Sequence, residues 1–173
     1  LTTYRQLAEE VTDKACRLLQ HRAACQTHTH PLPGAGGLTE REQVLLEASR
    51  LGLEPDQAAQ LWRVYGVGAH QVMARIDASP ELAEEICPAS HVLLASLVHG
   101  MESEWGSTLT DLLQRRTMAG LGSDFGWQAA HAGAAALQRL GIWDAARSEQ
   151  ELIDYGQLGQ RARARSFRAQ RPM

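Results

Sequence analysis

Long apolar runs are missing from this sequence. The best one, residues 92–98, is interrupted by Ser96 and falls far short of the roughly 18 residues that cross a bilayer. No basic stretch followed by an apolar one forms a leader at the start. The chain opens on Leu1 rather than a methionine, which points to a start cropped from a longer protein. Aromatic residues are scarce, at 5%, while alanine, leucine, glutamine and arginine recur throughout. That mixture disfavours strands and favours helices. Cysteine is limited to Cys16, Cys25 and Cys87, an odd number without repeating spacing, which excludes a secreted disulfide framework and points to a reducing compartment. Acidic residues are absent after Asp154, where five arginines (Arg161, Arg163, Arg165, Arg168 and Arg171) follow. The body before them sets 12 cationic residues against 20 acidic ones, a poor partner for nucleic acid.

What is present is helical periodicity. Tyr4, Leu7, Ala8, Val11, Ala15, Leu18 and Leu19 recur at three- and four-residue steps, predicting an amphipathic helix over 2–24. Two prolines and three glycines then place a loop over 26–38. Thr39 with Glu42 reads as a capping box for a helix ending at Gly52. Pro55 suits the first turn of the next, which ends at Gly66. Shorter helical segments follow over 69–77 and from Ser79-Pro80. Residues 91–104 are apolar on most sides and so central. Thr108 with Asp111 opens a short helix to about Thr117, residues 126–140 form an alanine-rich helix closing at Gly141, and Asp144 caps the last one. No six-residue stretch alternates at period two, and neither an internal repeat nor a heptad run is present. The expected architecture is all-α: a compact single-domain bundle of seven to nine mostly short helices, with a helical body over 39–155 and a basic, disordered tail over 156–173. Tyr4, Leu7, Val11, Leu18, Leu97, Val98, Met101, Leu109 and Leu112 lie on the apolar faces and are the expected core.

Chemistry-bearing clusters are few. Cys25, His28 and His30 are metal-ligand types within six residues, but a closed zinc site needs a second cluster, and none is evident. His99 and Glu102 lie three apart on one helix, a spacing that di-metal bundles use twice and this chain offers once. The favoured use of Glu102 or Glu104 is an ion pair with Arg115 or Arg116 across the short turn at Gly106. No nucleophile elbow, phosphate-cradling glycine loop or paired-carboxylate site is recognisable. The residues alone therefore stop at a helical interaction domain, and a stand-alone interaction or regulatory module is one reading of the chain.

A second reading comes from several segments that, taken in order, resemble the C-terminal region of the FAD-dependent (respiratory) glycerol-3-phosphate dehydrogenase and glycerophosphate oxidase family. They are Leu1-Thr2-Thr3-Tyr4-Arg5 with Leu7-Ala8-Glu9, then Pro31-Leu32-Pro33-Gly34, then Leu61-Trp62-Arg63-Val64-Tyr65-Gly66. The most specific runs from Glu102 through Thr108-Leu109, Asp111 and Leu112 to Arg115-Arg116-Thr117, and Ile142-Trp143 before the last helix agrees as well. Where the family often carries a basic residue after Arg-Arg-Thr, this chain has Met118.

The resemblance implies an enzyme that oxidises sn-glycerol 3-phosphate to dihydroxyacetone phosphate and passes electrons to quinone or oxygen. It implies that FAD and substrate are held mainly by an N-terminal part, the partner of this domain, so that the isolated chain would be inactive and would carry no cofactor. Leu1, Thr2 and Thr3 match positions whose backbone N–H groups face the flavin at a helix N-terminus, and no catalytic residue or metal ligand is assigned. The implied location is cytoplasmic; the arginine tail reads first as a solvated, frayed terminus, with contact to an anionic membrane surface as the alternative.

Overall fold

The computed structural model of the protein describes the backbone of residues 3–169 and the side chains of residues 3–161. The chain divides into two separately packed units, Leu1–Ala35 and Gly36–Met173, with the division inside the expected loop.

The first unit is helix α1 (Tyr4–Leu18) and irregular chain after it. The helix ends six residues before its expected end. Gln20, in left-handed conformation (φ 53°), follows the last turn, and the His21 N–H returns to the Cys16 carbonyl at 2.9 Å. This is a glycine-type helix stop made without glycine, so no residue announces it. The apolar face of α1 is also uncovered: Tyr4, Leu7, Val11 and Leu18 are 56–79% exposed, which corrects their expected burial. An amphipathic stripe marks a face that needs cover, without specifying that the cover comes from these residues.

In the second unit, α2 (Leu38–Arg50), α3 (Pro55–Tyr65) and α4 (Ala69–Ala78) pack in succession. The α2 start differs from the expected capping box by two residues: Glu40, not Glu42, reaches back, accepting from the Gly37 N–H at 3.0 Å. Gln57 does the same for α3, accepting from the Glu54 N–H at 3.0 Å with Pro55 in the first turn. Gly52 (φ 74°) ends α2, and Gly141 (φ 69°) ends the helix Trp127–Arg139, as their sequence positions predict, with the next N–H returning to Ala48 and Leu137 respectively.

A two-stranded antiparallel ribbon, β1 (Glu85–Cys87) and β2 (Val92–Leu93), interrupts the helices. Strands of three and two residues are too short to display period two, so the sequence does not reveal them. The second strand runs directly into α5 (Leu94–Ser103), whose residues Leu94 to Gly100 are all buried. Helix α5 is thus the central one. Leu97, Leu109 and Leu112 are fully buried and Val98 is 6% exposed, as expected, while Met101 lies at the edge of the core. Around them pack Val72 and Met73 of α4, Ile86 of β1, and Ala130, Ala134 and Leu137 of α6 (Trp127–Arg139).

Between α5 and α6 lies a six-residue π-helical segment, Asp111–Arg116. The last helix, α7 (Ala145–Ala169), is opened by Asp144, whose carboxylate accepts from the Arg147 N–H at 2.7 Å. It continues beyond Tyr155, the expected end of the helical body, so that the backbone of residues 156–169 is helical where a disordered tail is expected.

Candidate functional site

The segment from Glu102 to Thr117 concentrates the polar chemistry of the second unit. Asp111 organises its start. Its carboxylate accepts from the Ser107 and Thr108 N–H groups at 3.2 Å each and from the Thr108 hydroxyl at 2.9 Å, while the Asp111 N–H donates to that hydroxyl at 3.1 Å. Arg115, one turn on, pairs with the same carboxylate. Burial works against the charge, but these hydrogen bonds outweigh it and hold the Asp111 carboxyl down to about 2. The predicted capping of this segment by Thr108 and Asp111 is therefore present. Its π register was not predicted: the Thr117 N–H and hydroxyl both donate to the Leu112 carbonyl at 3.0 Å, five residues back. The hydroxyl reinforces a wide turn that the backbone alone rarely adopts.

The loop before this segment is braced on both sides. The Gly106 N–H donates to the Gly100 carbonyl at 2.8 Å, and a Cβ at Gly106 would lie 2.8 Å from Leu112 Cδ2 and 3.0 Å from the Gly100 carbonyl oxygen, so any larger residue would have to push both aside. From α7, Arg147 donates to the Ser107 carbonyl at 2.5 Å and Glu151 accepts from the Leu109 N–H at 2.8 Å. Further on, Gln114 donates to the Tyr155 hydroxyl at 2.8 Å and to the Gly120 carbonyl at 3.1 Å.

The expected ion pairs across Gly106 are replaced by others. Glu102 pairs with Arg75 of α4 at 2.9 Å, and Arg75 also donates to the Ser103 hydroxyl at 2.8 Å. Glu104 lies 3.9 Å from His99 Nε2, and Arg115 is taken by Asp111. Arg116 makes no ion pair among the described residues, and its Nε is buried without a hydrogen-bond partner. The partner of Glu102 lies 27 residues upstream, where only the packing of α4 beside α5 brings it near. His99 and Glu102, three apart, do not act together either: the His99 side chain is 5% exposed and that of Glu102 is 60% exposed.

His99 meets the edge of the Tyr65 ring, with centroids 5.4 Å apart and planes at 84°. Burial, then the Arg75 charge, push the imidazole below its ordinary range, against the pull of Glu104 and Glu102. It is therefore neutral near pH 7. Burial likewise pushes the Tyr65 phenol up to about 12. His99 Nδ1 has no hydrogen-bond partner among the described residues. The contact packs the His99 ring of α5 against Tyr65 of α3, with the Arg75 charge of α4 near enough to act on it.

The remaining sequence candidates lie elsewhere. Thr3 is the exposed N-cap residue of α1; Leu1 and Thr2 lie outside the described residues. Cys25, His28 and His30 belong to no cluster: among the described residues no group of three or more histidine, cysteine or acidic side chains is placed to hold an ion. In the tail, Arg161 is exposed; the side chains of Arg163, Arg165 and Arg168, and all of Arg171, lie outside the described residues. No helix among the described residues is long and apolar enough to cross a membrane.

Comparison with known proteins gives these features a context. The profile of the C-terminal domain of alpha-glycerophosphate oxidase matches residues 25–148. A protein named glycerol-3-phosphate dehydrogenase from Synechocystis sp. is 35% identical over 131 residues, covering 75% of this chain and 24% of the relative. Anaerobic glycerol-3-phosphate dehydrogenase subunit A1 from Haloferax volcanii is 31% identical over 84 residues, covering 49% of this chain and 14% of the relative. The chain thus spans a quarter or less of the length of these relatives. No solved structure is a significant match.

Proposed function

Since the chain belongs to the family of the C-terminal domain of alpha-glycerophosphate oxidase, we propose that it serves as the helical C-terminal part of an FAD-dependent glycerol-3-phosphate dehydrogenase. The enzyme oxidises sn-glycerol 3-phosphate to dihydroxyacetone phosphate and delivers the electrons to quinone or oxygen. The observation that carries this reading is the family match across residues 25–148, which contains the whole braced segment from Glu102 to Thr117. The role of this chain is structural and docking; the flavin-bearing and substrate-binding groups belong to an N-terminal part of the enzyme.

FAD, when bound, supplies the redox chemistry by accepting the two electrons of the alcohol oxidation. Leu1, Thr2 and Thr3 are the residues of this chain that would face it. Helix α1 fits such a neighbour: Thr3 makes no side-chain cap, and the first turn contains no acidic residue. The backbone N–H groups of that turn therefore have no intrahelical partner, and they favour negative charge placed beyond the helix start. Their contribution is to stabilise charge that accumulates on a reduced flavin, without moving a proton.

The arginine tail extends the reading to the inner face of the cytoplasmic membrane, each arginine near an anionic surface contributing about 1 kcal/mol. Cosedimentation with anionic vesicles checks this part: a chain ending at Gln160 should be recovered less than the whole chain, and equal recovery removes the tail from any membrane role.

The reading as a whole is tested by assaying glycerol 3-phosphate oxidation with an artificial electron acceptor. The full-length enzyme should turn over and the 173-residue chain should not. Turnover by the chain alone, or none by the full-length protein, would overturn it.

A further inference from the structure

Trp105 is 94% exposed, although tryptophan is on average one of the most buried residue types. It is also held at φ 61°, in the left-handed region that bulky side chains avoid. The protein thus carries two unfavourable features at one residue. The loop around it is not loose, because Gly106, Ser107, Thr108 and Leu109 are each tied down, by contacts to Gly100, Arg147, Asp111 and Glu151 respectively. Glu102, which precedes the loop, is fixed to Arg75. The residues that most specifically resemble the family are therefore those that hold one indole out into solvent. A rigid, pre-positioned aromatic loses little freedom on binding, and tryptophan is among the residues most enriched at the energetic centres of interfaces.

We propose that Trp105 is the anchor by which this helical unit docks onto the flavin-bearing part of the same enzyme, the indole filling an apolar pocket there. The inference rests on the proposed role as part of a flavin-dependent dehydrogenase. Its occupant follows from two observations. The matched relatives are several times longer than this chain, so most of the enzyme lies beyond it. The neighbours of Trp105 along the chain, Glu102, Ser103, Glu104 and Ser107, are polar, so this stretch offers one projecting ring, whereas a second copy of this chain needs a broad self-complementary patch.

Hydroxyl-radical footprinting of the 173-residue chain and of the full-length enzyme reads this directly. Trp105 should oxidise rapidly in the chain and severalfold more slowly in the full-length enzyme, at a rate independent of enzyme concentration. Equal oxidation in both overturns the proposal, and so does protection that grows with concentration, which would identify a second copy as the occupant. Trp105→Gly supplies a second reading, because glycine adopts the left-handed conformation without strain. The variant should leave the melting temperature of the chain unchanged or raised and lower that of the full-length enzyme; an unaltered full-length enzyme contradicts the anchor. Flavin absorbance, recorded on the same full-length sample, reports separately on whether the enzyme is a flavoprotein at all. Its absence would sink the functional reading, while the footprint still decides whether Trp105 is covered.

Discussion

The Gln114 side-chain amide donates to the Tyr155 hydroxyl at 2.8 Å, and that hydroxyl in turn donates to the Phe125 carbonyl at 2.7 Å. One buried phenol thus joins the π-helical segment, the chain leading into α6, and α7.

Tyr155→Phe keeps the ring and removes the link. The ring is 1% exposed, so the Phe125 carbonyl loses its donor, and the Gln114 amide, still donating to Gly120, loses one of its two acceptors, where water enters with difficulty. The expected loss of stability is about 1–3 kcal/mol, read from urea unfolding of the 173-residue chain. An unchanged midpoint would mean that both groups find water in the variant.

Leu97→Ala tests the central position of α5. Leu97 is fully buried, and truncation of such a leucine costs about 2–5 kcal/mol. Leu7→Ala, on the exposed face of α1, should lie within about 0.5 kcal/mol of the parent in the chain alone. Comparable losses at the two sites would contradict the burial pattern.

His99 gives the chain a pH dependence of known sign. Its folded-state affinity for protons is lowered by burial and by Arg75, so the unfolded chain binds the extra proton more readily. Stability is complete above the unfolded value and falls as pH drops below about 6.5. Denaturant unfolding between pH 7.5 and 5.5 should show this decline, and His99→Gln should flatten it. A decline of equal slope in the variant would assign the effect to other groups.

A carboxylate placed at Thr3 probes the α1 N-terminus. In the full-length enzyme, Thr3→Asp should make the flavin harder to reduce, measured as a lower midpoint potential, because like charge opposes charge building on the reduced ring. An unshifted potential with normal flavin content would separate Thr3 from the cofactor.

Local chemistry was legible in the sequence wherever one residue determines one feature. The glycines at 52 and 141 end their helices, Asp144 caps α7, and Thr108 with Asp111 caps the π-helical segment, because each contact closes within a few residues. The stop after Leu18 was not legible, since Gln20 fills a position normally marked by glycine. Nor was the π register, which depends on one threonine supplementing the backbone at Leu112. At the candidate site, the motif from Glu102 to Thr117 suggested ion pairs across Gly106, and the described residues pair differently. Glu102 meets Arg75 because α4 packs on α5, a tertiary event that spacing along the chain does not encode. The exposure of Trp105 was hidden for the same reason: nothing in a sequence distinguishes an aromatic held out from one folded in.

Membership of a flavin-dependent glycerol-3-phosphate dehydrogenase is tested most directly by anaerobic addition of sn-glycerol 3-phosphate to the full-length enzyme. Flavin absorbance should be present before addition and bleach in proportion to substrate, with dihydroxyacetone phosphate formed in equal amount. A protein without flavin absorbance, or a bound flavin that stays oxidised in excess glycerol 3-phosphate, would contradict it.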